Sequence, residues 1–306
     1  MHPPTDIHGE TGLDGTAHLP TPVAPPNTEI PAIDAAYQAL IACPPNTAWV
    51  VATGAFTNAA ALFLKYPSLV SHIKGLSLMG GAVGNSFTPA VLGHVDGVPR
   101  IGNWTQFAEF NVLADPEAAA SLFGNKGLAA KTTLIPLDVS HLVLATEDVR
   151  DLLLYGPGGQ KEGKGKTTLR IMLVELLMFF AKTYSDVFGI TEGPPLHDPL
   201  AVAAVLAGVG EQHEIPFCDS DPEGKVNGTG PRERFEVSVV TEGTYEEAMA
   251  GAKTGQLIVK KLPPGEEGVR IPRNLNIPLF WKVLEECVAR ADAANAAAAN
   301  GNGTQH

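Results

Sequence analysis

The sequence predicts an α/β fold: an open, mostly parallel, twisted sheet with helices on both faces. Three observations lead there. Short apolar runs that end near Gly or Pro, at residues 48–53, 73–79 and 132–137, look like strands buried on both sides. Helix-patterned segments alternate with such runs along most of the chain, the mark of parallel strands joined by crossover helices. A length of 306 residues with 44% hydrophobic and 18% charged content supplies ample material for a core and excludes wholesale disorder.

The elements follow in order. Residues 1–30 are rich in Pro, Thr, His and Gly and read as loop. Asn27 or Thr28 can cap a helix running to about Ala42, with Ile33, Tyr37, Leu40 and Ile41 at helical spacing. The run 48–53 is the first strand. A Gly54 turn leads to a helix over 58–65, with Thr57 or Asn58 as its cap. The run 73–79 is the second strand, ended by Gly80-Gly81, and a long loop follows to Phe107. Asp115-Pro116-Glu117 opens a helix through Phe123. Residues 132–137 form the third strand and Thr146 opens a helix to Leu154. The Gly/Lys stretch 156–166 reads as a surface loop, 167–188 as one long helix, and Asp198-Pro199 as another helix start. Residues 235–240 and 257–261 look like strands, and 278–291 like the last strong helix. The domain reading is an N-terminal segment 1–30, an α/β domain 31–291, and an Ala/Asn/Gly tail 292–306 expected to be disordered.

Charge and cysteines narrow the function classes. A net charge of -12 argues against nucleic acid or an anionic membrane as partner. Cys43, Cys218 and Cys287 are too scattered for a disulfide framework or a zinc pair, so a reducing, cytoplasmic compartment is expected. The N-terminus has neither a basic region nor an apolar core of a secretory signal, and no apolar run is long enough to span a bilayer.

Ligands of such sheets bind at the carboxyl ends of the strands. Four segments stand there. Residues 50–58, ending Thr53-Gly54-Ala55-Phe56-Thr57-Asn58, read on local grounds as a plain strand–helix junction, with Gly54 for the turn and Thr57 or Asn58 as cap. Leu78-Met79-Gly80-Gly81 allows close backbone approach to a ligand, or simply a turn. Asn103-Trp104 and Glu109-Phe110-Asn111 offer amides and a carboxylate, which bind vicinal hydroxyls well, although a solvated loop would look alike. His197-Asp198-Pro199 reads either as a capped helix start or as an acid beside a cation ligand. No nucleophile elbow, P-loop, dinucleotide fingerprint or zinc spacing occurs. Oxygen donors dominate, which suits calcium.

In this order the segments resemble the inosine–uridine-preferring nucleoside hydrolase family. The matching pieces are Ile7-His8-Gly9-Glu10-Thr11-Gly12-Leu13-Asp14-Gly15, Ala52-Thr53-Gly54-Ala55-Phe56-Thr57-Asn58, Leu78-Met79-Gly80-Gly81, Gly102-Asn103, Glu109-Phe110-Asn111 with Asp115-Pro116-Glu117-Ala118-Ala119, and His197-Asp198-Pro199. The stretch between Gly81 and Gly102 resembles the fungal uridine-hydrolase branch. The resemblance implies hydrolysis of uridine- or inosine-type nucleosides to ribose and base. It implies a Ca²⁺ bound by the Thr53 carbonyl and the Asp198 carboxylate. Asn103, Glu109 and Asn111 would hold the ribose, with Met79 beneath it. His197 would assist the leaving base, and His8, Phe110, Tyr184 and Phe188 would surround it. A homo-oligomer, dimer or tetramer, is also implied.

The sequence departs from the family in one respect. The family opens with a strand carrying a D-x-D-x-G-x-D-D cluster that supplies most calcium ligands and the general base. No such cluster occurs here. The resemblance therefore implies an N-terminally truncated domain, an incomplete calcium site and an inactive or impaired enzyme. Two other readings fit the same residues: a non-catalytic ribose- or nucleoside-binding protein, and an incomplete gene model.

Overall fold

The computed structural model describes residues 12–13, 15–26, 28–95, 97–179, 181–206, 214–219 and 232–301. The chain forms two compact units. Of the described residues, those within 25–143 and 195–276 make up the first, and those within 12–24, 144–194 and 277–301 the second.

The first unit is built on three parallel strands, β1 (Trp49–Ala52), β2 (Gly75–Met79) and β5 (Thr132–Ile135), in the order β1-β2-β5. Ala52 stands opposite Leu78, and Met79 opposite Ile135, so all three carboxyl ends share one edge. Strand alternation decides what each face of β2 meets. Leu76 and Leu78, both fully buried, enter a cluster with Phe56, Leu62, Leu122 and Phe123 from helices that cover one face. Ser77 points the other way, and its hydroxyl donates to the Ala201 carbonyl (2.7 Å) on helix Asp198–Ala203. Helices therefore flank a parallel sheet, as the alternation of runs predicts.

Between β2 and β5 lies a two-residue antiparallel pair, β3 (His94–Val95) and β4 (Val98–Pro99), inside the stretch expected to be wholly loop. A short pair, β6 (Phe217–Cys218) and β9 (Asn274–Leu275), is also antiparallel, as are β7 (Phe235–Val239) and β8 (Leu257–Lys261). Among the described strands, the parallel pairing of whole strands is that of β1, β2 and β5. Single bridges join Thr133 to Arg270 in parallel and Phe235 to Val269 antiparallel, extending the pairing from β5 towards β7.

Helix starts differ from expectation in three places. The first described helix is Ala32–Ile41, behind Pro31, whose fixed φ sets the entry; Thr28 lies outside it, and Asn27 lies outside the described residues. Helix Thr57–Lys65 has Phe56, whose ring offers no capping acceptor, at its cap position; Thr57 lies inside the helix and its hydroxyl donates to Asp115 Oδ2 (2.5 Å). Asp115 is a true cap: its Oδ1 accepts from the Ala118 N–H (2.9 Å), with Pro116 in the first turn. Asp198 is not a cap. It is the first residue of its helix, and the cap position belongs to His197, without a side-chain bond. Two sequence-alike Asp-Pro pairs therefore do different work. Asp115→Ala is expected to cost about 1 kcal/mol in denaturant unfolding. Asp198→Ala, which removes no cap, should leave the unfolding midpoint unchanged or raise it.

In the second unit, helix Glu147–Tyr155 packs on helix Thr168–Phe179 and on the C-terminal helix Ile277–Gly301. The expected single helix over 167–188 is described as Thr168–Phe179 and Ala181–Phe188, with residue 180 outside the described set. The last helix runs to Gly301, about ten residues further than its sequence pattern indicated. Asp292, where the tail was expected to begin, accepts from Thr167 Oγ1 (2.7 Å) and Arg170 Nε (2.6 Å), and the alanines beyond it favour helix. Among the described residues no helix is long and apolar enough to cross a membrane.

Candidate functional site

Glu109 and Asn111 flank the start of helix Phe110–Ala114, and both are buried rather than solvated. Glu109 is the N-cap: its Oε2 accepts from the Val112 N–H (3.2 Å) and from the Gly81 N–H (2.7 Å) just past β2. Asn111 Nδ2 donates to the Met79 carbonyl (3.0 Å) and reaches Met79 Sδ and the Thr53 carbonyl, each at 3.4 Å. Asn103 Oδ1 accepts from the Phe110 N–H (3.0 Å). Thr53, Met79, Asn103, Glu109 and Asn111 thus come together across the ends of β1 and β2. Gly80 makes this possible: a Cβ there would stand 3.1 Å from Glu109 Oε2 and 2.9 Å from the Phe56 ring.

Burial raises the Glu109 carboxyl to about 7, and the nearby charge of Asp198 adds to that; the three backbone N–H groups around it pull the other way. A folded value above the unfolded 4.5 means the native state holds its proton longer. The stability this contributes is full below about pH 4.5 and is lost as pH rises through about 7. Its size is roughly 3 kcal/mol by linkage. Glu109→Gln keeps an acceptor for these N–H groups and cannot ionise. Chemical denaturation between pH 4 and 8 should therefore show a flatter profile and a more stable variant at pH 8.

Asp198 is raised to about 6 by the protein mass around it, yet more than a third of the residue stays exposed. Its carboxylate is therefore open to a ligand and committed to no helix cap. Next to it, His197 Nδ1 lies 2.8 Å from Ser140 Oγ, and its ring centroid is 5.5 Å from that of His141. His141 Nδ1 pairs with the Val91 carbonyl (2.7 Å), and burial pushes its imidazole down to about 4, so it stays neutral at pH 7.

Ser140 and His141 escaped the sequence reading, as did Asp138, whose carboxylate accepts from the Val83 (2.7 Å) and Gly84 (2.9 Å) N–H groups. All three sit in Leu137–His141, directly after β5. The signal was present: this is the third strand end, read only as the end of an apolar run. His8 lies outside the described residues, with most of its motif. Tyr184 and Phe188 belong to helix Ala181–Phe188 of the second unit, their ring centroids 5.2 Å apart. Phe110 sets its ring edge-on to Trp104 (5.0 Å) and lines a cavity of about 300 Å³ with Trp104 and Tyr245.

Calcium takes about six to eight oxygen ligands. Among the described residues no group of three or more His, Cys, Asp or Glu side chains could hold a metal. The Asp198 carboxylate and the Thr53 carbonyl, the latter already accepting from Asn111, do not by themselves make such a site.

Amide, carboxyl and imidazole groups at the carboxyl edge of a parallel sheet suit a polyhydroxylated ligand in an α/β protein. The profile of the inosine-uridine preferring nucleoside hydrolase family matches residues 1–282. The chain belongs to this family of enzymes. It is 33% identical over 296 residues to uridine nucleosidase of Saccharomyces cerevisiae, covering 95% of this chain and 75% of that protein. It is 34% identical over 203 residues to the pyrimidine-specific ribonucleoside hydrolase of Citrobacter koseri, covering 66% of this chain and 54% of that one. The chain thus spans about half the length of that bacterial relative. Among solved structures, the purine-preferring ribonucleoside hydrolase from Gardnerella vaginalis superposes with a TM-score of 0.61 at 24% identity, over 92% of this chain and 72% of that one. A plant nucleoside hydrolase superposes with a TM-score of 0.63 at 19% identity, over 92% and 73%. These likenesses carry the fold.

Proposed function

We propose that the protein hydrolyses the N-ribosidic bond of a nucleoside, a pyrimidine nucleoside of uridine type first, to ribose and free base. The observation that carries this is the buried Glu109–Asn111 pair held across the ends of β1 and β2 beside the open carboxylate of Asp198. A carboxyl and an amide there can accept from and donate to ribose hydroxyls, with Asn103 as a further acceptor and the Met79 thioether as an apolar floor. The transition state is oxocarbenium-like, so charge builds on the sugar while an electron pair moves to the base. The carboxylates of Asp198 and Glu109 favour the first change. His197 favours the second by donating to the departing base. Thr53 and Asp198 are further proposed as two oxygens of a cation site; no step above depends on it. The uridine preference is supported by the names of the relatives from yeast and Citrobacter koseri.

The main rival is a protein that binds nucleosides without cleaving them. Calorimetric titration with uridine and chromatographic assay of uracil release separate the two. Binding with release establishes the hydrolase. Binding without release selects the rival, and no binding of uridine, inosine or ribose sinks both.

A further inference from the structure

Ser140 ends the short helix Leu137–Ser140 and has no exposed surface. Its backbone is fixed by a bond from its N–H to the Pro136 carbonyl (3.1 Å). A hydroxyl hydrogen buried this deeply needs an acceptor. Among the described residues, the acceptor that Ser140 Oγ meets is Nδ1 of His197, 2.8 Å away. The direction follows. With Ser140 donating and Nδ1 accepting, both groups are satisfied. With Nδ1–H donating instead, the serine hydrogen would be left buried and unbonded. A neutral imidazole that accepts at Nδ1 carries its proton on Nε2.

The two segments are clamped close to this contact. The Leu196 N–H donates to the Val143 carbonyl (2.9 Å) and joins them, while within its own helix start the His197 carbonyl accepts from the Leu200 N–H (3.1 Å). The His141 ring, tied to the Val91 carbonyl, lies beside the His197 ring at 56°. The imidazole is therefore held from the Nδ1 side by a rigid turn that follows β5.

We infer that Ser140 is a positioning residue: its hydroxyl holds His197 in the Nε2–H tautomer and in one ring orientation. The nitrogen away from Ser140 then carries the hydrogen that a departing base requires. This rests on the role of His197 proposed above, so the test reads Ser140 separately from catalysis.

The readout is nitrogen NMR of protein labelled with ¹⁵N-histidine, recorded near pH 8 on wild type, Ser140→Ala and Ser140→Thr, with His197→Ala to assign the signal. The wild type should show Nε2 as the protonated nitrogen and Nδ1 as a hydrogen-bonded acceptor. Ser140→Ala should move the Nδ1 resonance towards that of an unbonded nitrogen, and Ser140→Thr should restore it. A proton on Nδ1 in wild type, or an Nδ1 signal indifferent to Ser140→Ala, overturns the inference. In uridine hydrolysis, Ser140→Ala should lower kcat about 10- to 100-fold with KM nearly unchanged, a loss typical of an orienting partner, and Ser140→Thr should recover most of it. A tautomer as expected together with full activity of His197→Ala removes His197 from the reaction, and with it the catalytic meaning of Ser140, while a rise in KM with kcat unchanged contradicts positioning.

Discussion

Arg170→Ala is expected to destabilise the second unit by about 3–5 kcal/mol, the cost of stranding a buried charge whose partner is removed. Arg170 is the largest fully buried side chain described. Its guanidinium donates to Glu285 Oε1 (2.7 Å), to Asp292 Oδ2 (2.6 Å) and to the Leu153 carbonyl (2.8 Å). One side chain thus ties helix Glu147–Tyr155, helix Thr168–Phe179 and the C-terminal helix together. Glu285 is buried too, so losing Arg170 leaves a carboxylate without its counter-charge. Trp281, buried on the C-terminal helix, reports the transition by fluorescence. Arg170→Lys should recover only part of the loss, because an ammonium cannot serve three acceptors in the fork geometry of a guanidinium. The double replacement Arg170→Met with Glu285→Leu should be far milder than Arg170→Ala. If Arg170→Ala unfolds at the wild-type denaturant concentration, the buried ion cluster is not what holds these helices.

His197→Ala is expected to slow uridine hydrolysis by about 10²–10³-fold, the usual worth of one positioned acid. A nitrophenyl riboside, whose leaving group departs without a proton, should be nearly unaffected. The physical reason is that a donor helps in proportion to the charge accumulating on the leaving group. The position supports this: His197 precedes Asp198 at the start of a helix pinned to β2 through Ser77 and Ala201. A histidine present only for packing would affect both substrates equally or neither. Measuring kcat/KM for the pair in wild type and variant separates these outcomes, and a parallel loss removes His197 from the mechanism.

The local signals that persisted into the structure are those set by neighbours in the chain. The apolar runs became β1, β2 and β5: Val50–Val51 in β1, Leu76 and Leu78 in β2, and Leu134–Ile135 in β5 favour a sheet, fully buried in β2 and β5 and half-buried in β1. Asp115-Pro116 became a capped helix start because the bond it makes spans only three residues. The Gly80-Gly81 turn was legible for the same reason. Family motifs added the grouping of Asn103, Glu109 and Asn111 at one sheet edge, which no periodicity discloses.

What only the tertiary structure decided was the meaning of identical local patterns. Asp115-Pro116 and Asp198-Pro199 look alike in sequence, but one carboxylate caps a helix while the other is left open. The choice depends on backbone angles at His197 and on packing against β1, β2 and β5, far away in the chain. Glu109 and Asn111 looked like loop residues because their burial comes from β1 and β2, and so does the displaced titration of Glu109. The C-terminal helix outlasted its apolar pattern because Thr167 and Arg170, more than a hundred residues away, bind Asp292. Ser140 acquired a partner fifty-seven positions along the chain. Sequence determines which segments can be strand, helix or turn, since those depend on local sterics and hydrophobic spacing. Which carboxyl is buried, which imidazole nitrogen is held and which helix end persists depend on desolvation and on hydrogen bonds between distant residues, and these exist only once the chain is folded.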